Sequence, residues 1–152
     1  MASKPVAPEL RFWLKVNVNG PIPKDRPTLG PCWVWNGALS KGYGRFLGTE
    51  RRVIQAHHFL WTKLHGEIPC GKELDHLCRS RACVRPSHLQ AVTRQTNLLR
   101  GVGFPAIQAA RVFCIHGHKL TGLNLYLHKG HRYCKTCRRR RLRQWAAQHS
   151  EV

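Results

Sequence analysis

A chain of 152 residues, 42% hydrophobic and 22% charged, builds one domain, or one domain with a small module, and is too apolar to be a disordered chain. No apolar run is long enough to span a bilayer and no apolar signal segment follows Met1, so a soluble intracellular protein without a membrane role is expected. The formal net charge of +19 repels itself and calls for a polyanionic partner, which favours nucleic acid without naming an activity.

The charge is unevenly placed. Residues 1–75 hold 11 Lys/Arg against 6 Asp/Glu, whereas residues 76–152 hold 15 against one, Glu151. Residues 1–31 read as a poorly ordered N-terminal segment, apart from an apolar patch at Phe12-Trp13-Leu14, with an irregular loop from Gly20 to Pro31. Residues 32–35, 43–46 and 51–54 read as short strands forming an antiparallel hairpin region. Leu60, Trp61 and Leu64 fall at helical spacing within 57–65, and Gly66 is a stop signal. Trp33, Trp35 and Trp61 read as core packing. Residues 74–77 and 89–92 read as strands around a loop, and Thr93 caps a short helix through Arg100. This strand, loop, strand, helix series is too short to bury a core of its own, so something must cross-link it. Residues 101–110 read as a linker to a C-terminal module at 111–152, which ends in Arg138-Arg139-Arg140-Arg141-Leu142-Arg143.

Seven cysteines and ten histidines in a chain expected to see a reducing compartment point to zinc rather than disulfides. Cys78-x4-Cys83-x4-His88 supplies three ligands, and structural zinc takes four in a tetrahedron. The fourth comes from Cys32 or Cys70. Cys32 is preferred because it opens a strand that can present a thiolate to the loop, which leaves Cys70 as the spare thiol. Cys114-x3-His118 followed by Cys134-x2-Cys137 supplies four ligands unaided. His116 could replace His118, but Gly117 suits a tight turn that brings His118 round. His128 and His131 read as surface residues.

Inside the first cluster sits Asp75-His76, two residues before Cys78, and nine residues after His88 comes Asn97 on the following helix. A strand and a helix crossed over a zinc loop can face His76 and Asn97 toward one point. That suits a one-metal hydrolase: a neutral imidazole takes a proton from water, while a hard cation on an amide oxygen stabilises developing charge. Taken alone, His76 would read as a hydrogen-bonded strand residue and Asn97 as a solvated helix residue. Residues 76–150 contain no carboxylate, which disfavours a two-metal site. His65-Gly66-Glu67 with Pro69-Cys70 is superficially like a zinc deaminase pattern, but Glu73 stands where the second knuckle cysteine would be needed.

With these residues in hand, the chain resembles the phage-type HNH (His-Me finger) endonucleases. Leu74-Asp75-His76-Leu77-Cys78, Cys83, Pro86, His88-Leu89 and Asn97 look like their ββα-metal core, and the same spacing is similar to that of the His-Cys box homing endonucleases. Cys32-Trp33-Val34-Trp35-Asn36-Gly37, Gly42-Tyr43-Gly44-Arg45-Phe46 and the module of Cys114, Gly117-His118, Asn124, Tyr126, Cys134 and Cys137 fit the same group. The resemblance implies an α+β fold: a small zinc-stabilised ββα-metal core at 32–100 with an N-terminal antiparallel hairpin and a C-terminal zinc module. It implies a DNA endonuclease in which His76 activates water and Asn97 binds Mg2+ or Mn2+, with Asp75 beside them and Arg51 or Arg52 on the scissile phosphate. It implies structural zinc on Cys32, Cys78, Cys83 and His88, with a second zinc expected on Cys114, His118, Cys134 and Cys137. Double-stranded DNA is the expected partner, with Arg45, Arg51 and Arg52 on a ribbon that faces its groove or its backbone, and Arg138, Arg139, Arg140, Arg141 and Arg143 as a phosphate clamp. A homodimer is compatible with this reading, and the cytoplasm of a bacterial or phage-infected cell is the expected setting. Two positions differ from the families: Arg85 replaces an Asn before the loop proline, and His57-His58 replaces His-Arg at the start of a helix. The competing readings are a non-catalytic zinc protein that binds nucleic acid and a ribosomal-type structural protein.

Overall fold

The computed structural model describes residues 6–48 and 52–149. The chain divides into two compact units, Met1–Asn97 and Leu98–Val152, and both mix short helices with small antiparallel sheets.

The first unit opens with α1, Pro8–Trp13, whose proline suits the first turn because the N–H it lacks would be unsatisfied there anyway. The N-terminal segment is thus not irregular throughout. Phe12 is 0% exposed and packs against the rings of Trp35, Phe46 and Phe59 at 5.1–5.4 Å. Burying one such ring contributes about 1.5–3 kcal/mol, enough to hold a six-residue helix that could not persist alone. Trp35, Ala56, Leu60 and Val84 complete this core. Trp33 is only partly buried against it, and Trp61 lies outside it, half-buried and stacked on His65 at 4.3 Å. At that surface position a histidine one turn on covers the indole.

Strands β1, Val16–Asn17, and β2, Val34–Trp35, pair antiparallel. Next come β3, Leu39–Ser40, β4, Tyr43–Leu47, and β5, Val53–Gln55, a three-stranded antiparallel sheet in that order. A tight turn at Lys41 and Gly42, both at positive φ, joins β3 to β4. Gly44 is obligatory, since a Cβ there would lie 2.7 Å from the Trp35 ring and 2.9 Å from Ala56. Helix α2, Ala56–His65, ends at Gly66 with φ +79. Strands β6, Lys72–His76, and β7, Leu89–Thr93, pair antiparallel with His76 opposite Leu89. Helix α3, Arg94–Arg100, follows, and the Thr93 hydroxyl accepts its Thr96 N–H at 3.2 Å.

The loop between β6 and β7 does not hang free. Trp35 N–H donates to Ala82 O at 2.9 Å, and Val84 N–H donates to Trp33 O at 2.8 Å. The loop therefore lies beside β2, Val84 enters the core, and Cys83 bridges to Val34.

In the second unit, the stretch expected to be a linker holds helix α4, Phe104–Ala110. The Arg132 guanidinium anchors it, donating to the carbonyls of Ala109 at 2.5 Å, Arg111 at 2.9 Å and Leu120 at 3.3 Å. Strands β8, Leu125–His128, and β9, His131–Cys134, form a hairpin that runs into α5, Lys135–Gln148. Among the described residues, Leu120 and Cys134 are this unit's buried apolar positions. Two side chains cannot offset the chain entropy of such a unit, so it needs a cross-link. No described helix is long and apolar enough to cross a membrane.

Candidate active site and metal clusters

Pairing of the β6–β7 loop with β2 carries Cys83 to Cys32. The ligand atoms of Cys32, Cys78, Cys83 and His88 all lie within 4.8 Å of one another, and all four residues are buried. Cys70, the alternative fourth ligand, is exposed. His88 Nδ1 stands 3.6 Å from the sulfurs of Cys32 and Cys83. Its Nε2–H donates to Leu29 O at 2.9 Å, so the lone pair is on Nδ1, facing the thiols. A hydrogen bond from Cys83 pulls the Cys78 thiol down to about 5, and the same bond pushes Cys83 up. Burial, with Cys78 nearby, raises Cys32. Ionisation of Cys78 is thus favoured at the expense of Cys83 and Cys32, and a divalent cation removes that conflict by holding all three as thiolates. The donor set fits zinc.

The second cluster joins Cys114, His118, Cys134 and Cys137, again within 4.8 Å. His118 Nδ1 lies 3.4 Å from Cys114 Sγ and 3.2 Å from Cys137 Sγ. His116 is exposed, and its N–H donates to Cys114 Sγ at 3.4 Å. Asn124 braces the knuckle: its Oδ1 accepts from Thr136 N–H at 2.9 Å and its Nδ2 donates to Lys119 O at 2.6 Å. Burial raises the Cys134 thiol, but N–H donors from Cys137 and Asn124 outweigh it and bring the thiol down to about 6. His128 and His131 are exposed at the hairpin tip.

His76 ends β6 and is buried. Its Nε2 lies 3.1 Å from Cys83 O. A carbonyl only accepts, so Nε2 carries the proton and Nδ1 keeps a lone pair in the neutral ring. Desolvation lowers the pKa of His76, against the raising effects of Cys83 O and the neighbouring Cys78 and Asp75. Asp75 is buried and its Oδ1 accepts from Arg79 Nη1 at 2.8 Å. Asn97 is half-buried on α3, and its carboxamide makes no hydrogen bond among the described residues.

Arg85, just before Pro86, ties the loop down. Its Nη1 donates to Pro31 O at 2.7 Å, and its guanidinium lies 5.7 Å from the Trp33 ring. His57 is 2% exposed and sets its ring 4.6 Å from that of His76 and 4.7 Å from that of His58. Burial pushes His57 down to about 3, helped by repulsion from His76 and His58. Tyr43 contacts both His76, at 5.8 Å, and His57, at 5.6 Å. Arg81, from the metal loop, lies over Tyr43 at 5.4 Å and donates to Lys41 O at 3.2 Å. Sequence reading missed Tyr43 and Arg81 as site neighbours, because the packing that unites them joins the loop to the hairpin and leaves no local pattern. Arg45 and Arg52 are exposed, and Arg45 lines an open groove of about 530 Å³ with Lys41, Tyr43 and Gln55. Arg51 lies outside the described residues. Arg138 to Arg141 and Arg143 are exposed on α5.

The family model described as HNH endonuclease matches residues 55–99, the stretch that holds His76, Cys78, Cys83, His88 and Asn97. This stretch is similar to the HNH endonucleases. Upstream of its start lies the hairpin that supplies Tyr43, and Cys32, which completes the first Cys/His cluster, is also outside the match. The chain is 31% identical over 51 residues to the uncharacterized gene 5.3 protein of Enterobacteria phage T3, covering 34% of this chain and 50% of that protein. It therefore spans about half the length of the curated relative it matches. No solved structure matches the chain.

Proposed function

We propose that this chain is a metal-dependent DNA endonuclease that hydrolyses phosphodiester bonds by a one-metal mechanism. The observation that carries the reading is the His76 imidazole, held by Cys83 O with its Nδ1 lone pair available, within an HNH stretch. In this reading β6, β7 and α3 form the ββα-metal core, with zinc in each Cys/His cluster. His76 Nδ1 takes the proton from the attacking water. Burial keeps that ring neutral, the form a general base needs. The uncommitted Asn97 carboxamide offers its oxygen to Mg2+ or Mn2+, with Asp75 alongside. Such an ion, when bound, stabilises the charge that develops on the phosphate. Arg45 and Arg51 or Arg52 orient the phosphate from the hairpin, and Arg81 joins them from the metal loop. The arginines of α5 add duplex affinity without sequence information.

Nicking of supercoiled plasmid with and without Mg2+ tests the proposal. Wild type should nick only with the ion, and the His76→Ala variant should not nick. Binding without nicking in both proteins would leave a non-catalytic zinc protein that binds nucleic acid.

A further inference from the structure

The unit Leu98–Val152 carries two cavities that share Tyr133 as a wall. One, of about 300 Å³, is lined by Tyr126, Arg138, Arg140 and Arg141, together with Cys134 and Cys137 of the second cluster. The other, of about 460 Å³, is mainly apolar and lined by Leu99, Phe104, Pro105 and Ala109. Arg132 also borders it, but its guanidinium is engaged with backbone carbonyls.

Between the cavities the rings form a ladder. Arg138 lies 5.1 Å from the centroid of Tyr126, and Tyr126 stacks on Tyr133 at 5.1 Å and 22°. A guanidinium held over a ring is pre-organised, and its N–H donors remain available for phosphate. Glu151 is the sole Asp or Glu of residues 98–152, so the counter-charge lining the cationic cavity is that of Cys134 and Cys137, which a zinc in the second cluster largely neutralises. Beside it, Phe104 is 73% exposed and Tyr133 is 38% exposed. Exposed aromatics next to a cationic groove are what unpaired nucleotides bind, because a base stacks on a ring while its phosphate meets the arginines. In a duplex the bases stack on one another, so only the phosphates could engage.

We propose that the C-terminal unit binds single-stranded DNA, with phosphate among Arg138, Arg140 and Arg141 and an unpaired base against Tyr133 and Phe104. The nuclease reading enters only in naming the polyanion as DNA.

The test is fluorescence anisotropy of the full chain with a labelled oligothymidylate of about 12 nucleotides, within the usual span of such sites. A duplex of equal length is the comparison. Mg2+ is left out, so cleavage plays no part, and a failed nicking assay and a failed strand preference are separate results. Wild type should prefer the single strand. Tyr133→Ala and Phe104→Ser should each weaken single-strand binding by about tenfold, at the lower end of what one stacked base supplies, and weaken duplex binding much less. Tyr133→Phe should retain affinity. Zinc is measured in each variant. If Tyr133→Ala loses zinc, Phe104→Ser decides, because its side chain is exposed and outside the cluster. Equal affinity of wild type for both forms would overturn the proposal, as would single-strand binding unchanged in a zinc-replete variant.

Discussion

His76 Nε2 donates to the backbone carbonyl of Cys83 across 3.1 Å, and the thiol of that same cysteine stands in the first metal cluster. One residue thus links the cluster to the orientation of the proposed base. Losing the metal should release residues 82–84 from β2 and let the imidazole turn. Cys83→Ala and Cys32→Ser should each lower zinc from two equivalents to one and reduce both melting temperature and nicking, since structural zinc contributes about 10–16 kcal/mol of apparent folding energy. Cys70→Ser, at an exposed thiol outside the cluster, should change none of these. Elemental analysis with thermal melts checks it, and two zinc ions retained in Cys32→Ser would show that the fourth ligand is misassigned.

Removing the base should separate chemistry from binding. His76→Ala should lower the single-turnover rate by roughly 10²–10⁴ and leave duplex affinity near wild type. Asn97→Ala should also slow cleavage, with partial recovery at high Mg2+ if its loss weakens the ion. Wild-type rates in His76→Ala would remove His76 from the mechanism.

His57 should make the fold sensitive to acid. It is buried and its pKa is held at about 3, whereas in the unfolded chain it titrates near 6.5. Above about pH 6.5 the residue is neutral in both states and contributes no pH dependence. As pH falls below that, the unfolded chain takes up the proton and the folded one does not. Stability should therefore drop by about 1.4 kcal/mol per pH unit from this group until the folded value is approached. His57→Phe removes the titration and keeps a ring against Tyr43 and His76. Denaturant melts at pH 7 and pH 5 should show a loss in wild type about 2 kcal/mol larger than in the variant. Equal losses would mean that the ring is hydrated or charged in the fold.

The arginines of α5 should supply affinity and no chemistry. Replacing Arg138 to Arg141 with alanine should weaken binding to all duplexes alike and flatten the slope of log affinity against log salt by about 0.9 for each phosphate no longer neutralised. The cut position should stay where it was. Titrations at several salt concentrations and mapping on one duplex check both. An unchanged slope would make the run a solvated face, and a moved cut would mean that it reads sequence.

Ligand spacing is local information, so Cys78, Cys83 and His88 and the second set of four were legible in the chain, as were Thr93 as a cap and the strands around the loop. The charge asymmetry was equally plain, because it needs only counting. What lay beyond reach depended on packing between segments far apart in sequence. Phe12 gave no sign that its helix is pinned among Trp35, Phe46 and Phe59, since burial belongs to the partner surfaces and not to six residues. Helix α4 looks like a linker in sequence because Arg132, 22 to 28 residues downstream, supplies the donors that hold it. Composition and spacing by themselves determined which residues could bind metal, and they favoured Cys32 over Cys70 as the fourth ligand without a contact to show it. Only the tertiary pairing of residues 82–84 with β2 brought Cys32 into the cluster, placed Arg81 over Tyr43 and turned the His76 lone pair to Nδ1. Those hydrogen bonds join backbones that no local pattern connects.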